Sequence, residues 1–364
     1  FIMPANPSNT LLLITKTVRM SDITLQTQIP LSVGLSLSIG NTSRFSDIRI
    51  LNFLTGVSCI GGSLNTLYSF TKCTFALNIT AIDIDNTTAE FNLCQIFGKT
   101  NQALSPGNTG ITITGSGSNI VMVGGLFALC ENAVVISNNS RCLINTSVFR
   151  KNGFCISQNS SSLLTLNACD FQTAGGPLYN IIQISGAGTT AELTGCSFEG
   201  KDDVGIPQST CLNVTDDASV VVSGASIQYY TSAINIGNST DVSSTIVTVS
   251  SSIIQNCTTD ILQQGSSTLN INSSTMALSK ISIGNPANVN MAYFNLEGDN
   301  SLQIGSSSDQ LTSLLHAEIG GSNHIGFHYR PGLYGAQALG VGNSSANTSA
   351  LYNYGTNDIS VVSV

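Results

Sequence analysis

A short segment of the form apolar–x–x–small–x–apolar returns about every 20 to 31 residues over most of this chain, and no other feature limits its fold so narrowly. The last apolar residue of each copy, the anchor, falls at Phe53, Phe75, Ile96, Phe127, Phe149, Phe171, Phe198, Ile227, Ile254, Met276 and Leu296. Two positions earlier stand Leu51, Cys73, Cys94, Gly125, Ser147, Cys169, Cys196, Ala225, Ser252, Ser274 and Phe294, small in nine of the eleven. Self-similarity at such a period marks a solenoid, in which each unit buries its apolar face only against its neighbours.

Each unit carries a second signature. After the anchor and a variable loop comes a brief apolar alternation: Ile82 and Ile84, Ile111 and Ile113, Val134 and Ile136, Ile182 and Ile184, Leu212 and Val214, Ile234 and Ile236, Ile281 and Ile283. Period-two alternation of mostly β-branched residues is strand chemistry, because alternate side chains point to one face. Turn formers follow at Asp85-Asn86, Asn138-Asn139, Ser185-Gly186, Gly237-Asn238 and Gly284-Asn285. A short Ser/Thr-rich strand then leads to the next anchor. Helical repeats would need longer runs at 3.6 spacing, and the Leu and Asn spacings of leucine-rich repeats are missing. The expectation is an all-β chain folded as a single-stranded parallel β-helix of about eleven coils. With stacked strands roughly 4.8 Å apart, ten steps make a rod of about 48 Å before its ends are added. The anchors should stack as an internal ladder, with the small residues also pointing inward where the coil is narrow.

This pattern resembles the right-handed parallel β-helix superfamily, which includes pectate lyases, polygalacturonases, phage tailspikes and several surface adhesins. The resemblance covers residues 45 to 300 and rests on architecture rather than on a catalytic signature. It implies a solenoid whose outer faces carry any function, with right-handed coils by precedent.

Only 9% of the 364 residues are charged and there is no Trp. Ser, Thr, Asn and Gly fill the outward positions, as is common on extracellular and virion proteins. A net charge of −8 argues against a nucleic-acid partner, which requires a basic stripe. No apolar run reaches the eighteen or so residues of a membrane span. The chain starts at Phe1 rather than Met, which suggests processing or a longer parent.

Cys73 and Cys94 occupy one inward register of adjacent coils, as do Cys169 and Cys196. Their stacking is compatible with a disulfide, but a buried thiol stack is the favoured reading, since Ser, Gly and Ala take the same position elsewhere. Cys130 and Cys257 share a second register, three residues after their anchors. There is no C-x-x-C pair, and neither a metal nor a cofactor is expected. Twelve Asn-x-Ser/Thr sequons, from Asn41 to Asn347, permit glycosylation without demonstrating it.

The chain reads as three segments: an N-terminal β cap (1–44), the β-helix (45–304) and a C-terminal capping or association segment (305–364). In the first, Ile23, Leu25, Thr27, Ile29, Leu31, Val33, Leu35, Leu37 and Ile39 alternate with polar or small residues across Pro30. A solenoid needs its open apolar end covered, and this segment suits that role. The last segment holds His316, His324 and His328, whose glycine-rich setting argues against a helical metal pair.

Glycan-cleaving sites on such solenoids need two carboxyl groups at a set separation, or a base with cations that neutralise a uronate. Glu90 and Glu192 share a register several coils apart, Asp216-Asp217 suits a turn, and Asp170 stands alone. One edge is richer. The loops after Phe171, Phe198 and Ile227 bring Tyr179, then Glu199, Lys201, Asp202 and Asp203, then Tyr229 and Tyr230 to one side. Tyrosine faces beside carboxylates are what a glycan groove uses. The functional expectation is a non-enzymatic structural or surface protein, a virion, fibre or adhesin-like component. It would be extracellular or on a virion surface, self-associate as a trimer or filament, and carry a glycan-binding edge. The alternative is a tailspike-like polysaccharide depolymerase with its carboxylates on that edge.

Overall fold

The computed structural model describes residues 10–304 apart from 39–41, 62–65, 99–107, 173–179, 202–207, 238–243, 273, 278–279, 284–288, 293–294 and 298–300. Within that range, 28–32, 180, 208–209 and 275–304 are described through their backbone. The C-terminal segment, with its three histidines, lies outside the described residues. The chain forms the expected all-β parallel solenoid: its strands pair in parallel, each with the equivalent strand one coil away. The eleven coils expected are close to the twelve strands that line one face among the described residues.

Each coil has three faces. The Ser/Thr face is a 12-stranded sheet of mostly five-residue strands such as Leu67–Thr71, Arg141–Asn145 and Ile246–Ser250. The anchor face is built from three-residue strands such as Thr74–Ala76, Val148–Arg150 and Ser226–Gln228. The alternation face carries strands such as Thr80–Asp85 and Asn132–Ile136. The anchor and alternation faces merge into one 23-stranded sheet because two long strands, Thr24–Ser38 and Arg49–Ile60, run through the corner between them.

The core follows from exact registration of like residues. Phe75, Ile96, Phe127, Phe149, Phe171, Phe198, Ile227 and Ile254 pair successively on the anchor face, and none is more than 1% exposed. The rings of Phe127, Phe149, Phe171 and Phe198 stack with centroids 4.7, 4.6 and 4.6 Å apart. That spacing is the inter-strand step itself, so a ring per coil gives offset stacking without strain. On the Ser/Thr face Phe45, Phe70 and Phe91 stack in the same manner, 4.9 and 5.0 Å apart.

Below Phe75 the ladder departs from the sequence expectation. Ile50, not Phe53, pairs with Phe75, and Leu25 pairs with Ile50. Phe53 instead pairs with Leu31 and is buried at the next corner. The cause is an irregularity in Thr24–Ser38: Gln26 pairs with Leu51 and Leu31 with Phe53, so one strand spans five positions where its partner spans two. Pro30, which has no backbone N–H to give a ladder, falls inside that interruption. The N-terminal strands also join the stack directly. Leu12–Ile14 pairs with Leu35–Leu37, and Arg19–Ser21 with Arg44–Ser46, in parallel as in the later coils.

The corners are single left-handed residues. Three positions before each anchor, Asp22, Asp47, Lys72, Leu93, Gly124, Thr146, Ala168, Gly195, Gly224 and Ser251 all have φ between 48° and 66°. A lone αL residue swings the chain between flat strands without lengthening the coil. The turn formers read from the sequence behave likewise: Asn86, Asn138, Asn139, Gly186 and Gly237 have positive φ. Just past the first corner, the small inward residue closes the broken ladder. Ser147 Oγ donates to the Asn145 carbonyl and accepts from the Gly125 N–H, both at 3.1 Å. Cys73, Cys94, Cys169 and Cys196 place their thiols 3.5 or 3.6 Å from the carbonyl two residues back. All ten cysteines are free and buried, as the thiol reading anticipated.

Candidate functional site

The residue after each anchor points outward, so parallel registration lines these residues up in a row. Arg150, Gln172, Glu199, Gln228 and Gln255 occupy successive positions of that row on the anchor face. Gln255 Nε2 donates to Gln228 Oε1 at 3.1 Å, and Gln172 Nε2 donates to Asp170 Oδ2. Gln228 and Gln255 therefore hold each other in line across one strand step, while Gln172 is held by a carboxylate on its own strand. Each remains able to offer both a donor and an acceptor to a ligand.

Lys201 and Tyr229 flank this row. Tyr229, two residues after its anchor, has φ 64°, and Leu77, Leu129, Lys151 and Asn256 hold the same corner position with positive φ. The left-handed backbone leaves the Tyr229 ring half-buried at the rim, and Lys201 Nζ lies 5.1 Å from its centroid. A cation at that distance is attracted by the ring quadrupole, a contact worth about 0.5–1 kcal/mol at an exposed site.

Tyr230 is not part of this surface. It is 1% exposed and lies inside the coil, three residues past its anchor, in the register of Cys130 and Cys257. Burial pushes its hydroxyl well above the ordinary tyrosine range, reinforced by Cys211, Cys155 and Cys257 around it. Gly200, one coil earlier, makes the room: a Cβ there would meet Tyr230 Cδ1 and Cε1 at 2.6 Å. A ring enclosed in this way has no face to offer a sugar. Tyr179, Asp202 and Asp203 lie outside the described residues. Of the seven residues expected on this edge, Glu199, Lys201 and Tyr229 are brought together.

The sequence reading missed Gln172, Gln228 and Gln255. Their signal was present, since each directly follows an anchor, as Glu199 does. The other acidic candidates stay apart. Glu90 and Glu192 share the central row of the Ser/Thr face, separated by Val121, Leu143 and Thr165. Asp216 and Asp217 form a turn with φ 57° and 63°. Among the described residues no group of three or more His, Cys, Asp or Glu is arranged to hold a metal, and no helix is long and apolar enough to cross a membrane. The Asn78 sequon is closed to modification in the folded chain. That side chain is buried, accepting from Phe53 N at 2.8 Å and donating to the Ile50 carbonyl at 3.0 Å.

No known family profile matches the chain, and no curated protein matches it. Among solved structures it is similar to tailspike protein 3 of bacteriophage CBA120, at 11% identity and a TM-score of 0.39, over 84% of this chain. The chain spans 55% of that tailspike's length. It is also similar to the A-module of the mannuronan C-5 epimerase AlgE4 of Azotobacter vinelandii, at 14% identity and a TM-score of 0.25, over 74% of this chain and 87% of the module.

Proposed function

We propose, from the premise that the chain is a parallel β-helix protein, that it is a structural component of an extracellular or virion surface that binds glycan along its anchor face. The observation that carries this reading is the Gln172–Glu199–Gln228–Gln255 row with Tyr229 at its rim. Amide and carboxylate groups repeated at a fixed step suit the regularly spaced hydroxyls of an extended polysaccharide, and an aromatic edge suits the apolar face of a sugar. The depolymerase alternative would need a second carboxyl group at a defined distance from Glu199, and Asp170, on the neighbouring strand and bonded to Gln172, is the described residue to examine for that role. Self-association is supported by the Ser/Thr face, where Val123, Val221 and Ile246 are 37%, 40% and 39% exposed on a flat sheet.

The test is a glycan array read with the purified chain and with Gln228→Ala and Tyr229→Ala variants. Signal on a defined set of glycans that falls in both variants is the expected result. Equal signal from all three proteins would remove the edge as the binding site. Release of shortened or unsaturated products from a polysaccharide panel would replace the structural reading with the depolymerase one.

A further inference from the structure

A second surface lies on a different face and at the other end of the described solenoid. Arg19 and Arg44 stand in register on neighbouring strands of the Ser/Thr face, followed in the same row by Ser69. Side chains in this relation start about 4.8 Å apart, and like charges placed so repel. The chain has only 12 Lys and Arg against 20 Asp and Glu, so this pairing runs against its composition. Both arginines are exposed, and together with Ser21, Ser46, Ser69 and Thr71 they line a cleft of about 400 Å³. Met20 and Phe45 lie between these residues on their strands, with the Phe45 side chain buried in the core, and no carboxylate is among the lining residues, the nearest in the row being Glu90 beyond Ser69. Asp22 and Asp47 sit at the corner beyond Ser21 and Ser46 and do not line it.

We propose that this cleft binds a tetrahedral oxyanion, a sulfate or phosphate ester. A carboxylate that binds one guanidinium fork through both oxygens keeps only its outer lone pairs for a second, so two forks and the neighbouring hydroxyls are better matched by a group with more oxygens. A tetrahedral oxyanion offers a separate oxygen edge to each fork, and the hydroxyls of Ser46, Ser69 and Thr71 can donate to those that remain. Its charge also cancels the repulsion between the two arginines. The cleft does not depend on the glycan row of the anchor face, and either site can fail without the other. Sulfate esters on a polysaccharide and the phosphates of a polyphosphate chain both supply such oxygens.

The experiment measures binding of the purified chain to immobilised dextran sulfate and to immobilised polyphosphate at low ionic strength. It includes Arg19→Gln, Arg44→Gln and, as a charge-matched control, Arg141→Gln, an exposed arginine four strands further along the Ser/Thr face. Each cleft substitution should weaken binding by about tenfold or more, as loss of a charge-assisted contact does, while Arg141→Gln leaves it within about twofold. Inorganic sulfate and phosphate stabilise any folded chain by exclusion from its surface, so the rise in melting temperature should be larger for the native chain than for Arg44→Gln, and an equal rise in both would count against the cleft. The stronger of the two polymers names the source of the oxyanion. Equal weakening by Arg141→Gln would reduce the effect to general charge attraction and overturn the site, as would absence of binding to both polymers.

Discussion

At a solenoid corner one residue has to leave the usual backbone regions, and the chain meets this demand with side chains that resist it. Thr146 has φ 49° at the corner before Phe149, although a β-branched residue is among the least suited to αL. Gly124, Gly195 and Gly224 occupy the same position on other coils. Thr146→Gly should therefore stabilise the fold by about 0.5–1 kcal/mol, relief of αL strain exceeding the added entropy of glycine. Urea unfolding checks this, and an unchanged or lower midpoint would show that the corner is not strained. The buried thiols give a pH prediction. Cys130, Cys142 and Cys257 are pushed up to about 12 from the ordinary 9.0, in each case mainly by burial. The folded chain thus holds these protons more tightly than the unfolded chain does. Their contribution is fully present below pH 9 and is lost as pH rises toward about 12. Urea midpoints should be level through neutral pH and fall steeply above about pH 9, less so once Cys130 and Cys142 are replaced by Ala.

Between the residue and the coil, the working unit is a ladder. Phe149 has a stacked ring on each side, at 4.7 and 4.6 Å, so Phe149→Ala removes two ring contacts and leaves a cavity between filled coils. A loss of about 3–5 kcal/mol is expected, and a loss below that of an Ile→Val change would mean that the neighbouring coils collapse into the gap. Asn152 works differently: its side chain accepts from Cys130 N at 2.9 Å and donates to the Phe127 carbonyl at 3.1 Å, tying one corner to the coil before it. Asn152→Ala leaves both backbone groups buried without that partner and should cost about 2–4 kcal/mol. The ladder of Phe127, Phe149, Phe171 and Phe198 was legible in the sequence because the same short motif precedes each anchor, whatever the length of the loop between them. The step from Ile50 to Phe75 was hidden by the interrupted pairing of Thr24–Ser38, which puts Phe53 where the pattern expects an anchor. Tyr229 and Tyr230 look alike in sequence and face opposite ways. Counting from Ile227 puts Tyr230 in the register of buried Cys130 and Cys257 and Tyr229 on the corner, although Lys201, which follows Phe198 at the same count as Tyr230 follows Ile227, is exposed, so apolar character decides along with position. The Gln row was equally countable, but amides carry no chemical signature that draws the eye as carboxylates do.

At the scale of the whole molecule, the sheet of the Ser/Thr face presents a nearly uncharged strip: Val121, Leu143, Thr165, Glu192, Val221 and Thr248 follow one another along its central row. If that strip is covered by further copies of the chain, light scattering on the purified protein will give a defined multiple of 37.9 kDa, and Val221→Lys will shift it toward the single chain. A single-chain mass for the native protein would remove self-association from the proposed function. The registration of like with like has one more consequence, and it concerns ancestry rather than stability. Phe127, Phe149 and Phe171 are spaced by 22 residues, and every position between them has its counterpart on the next coil. Excising one such period would bring together ends that already match, ring against ring and corner against corner. Gain or loss of a whole period is thus the change of length that this fold tolerates most readily during descent, since every remaining coil keeps its register.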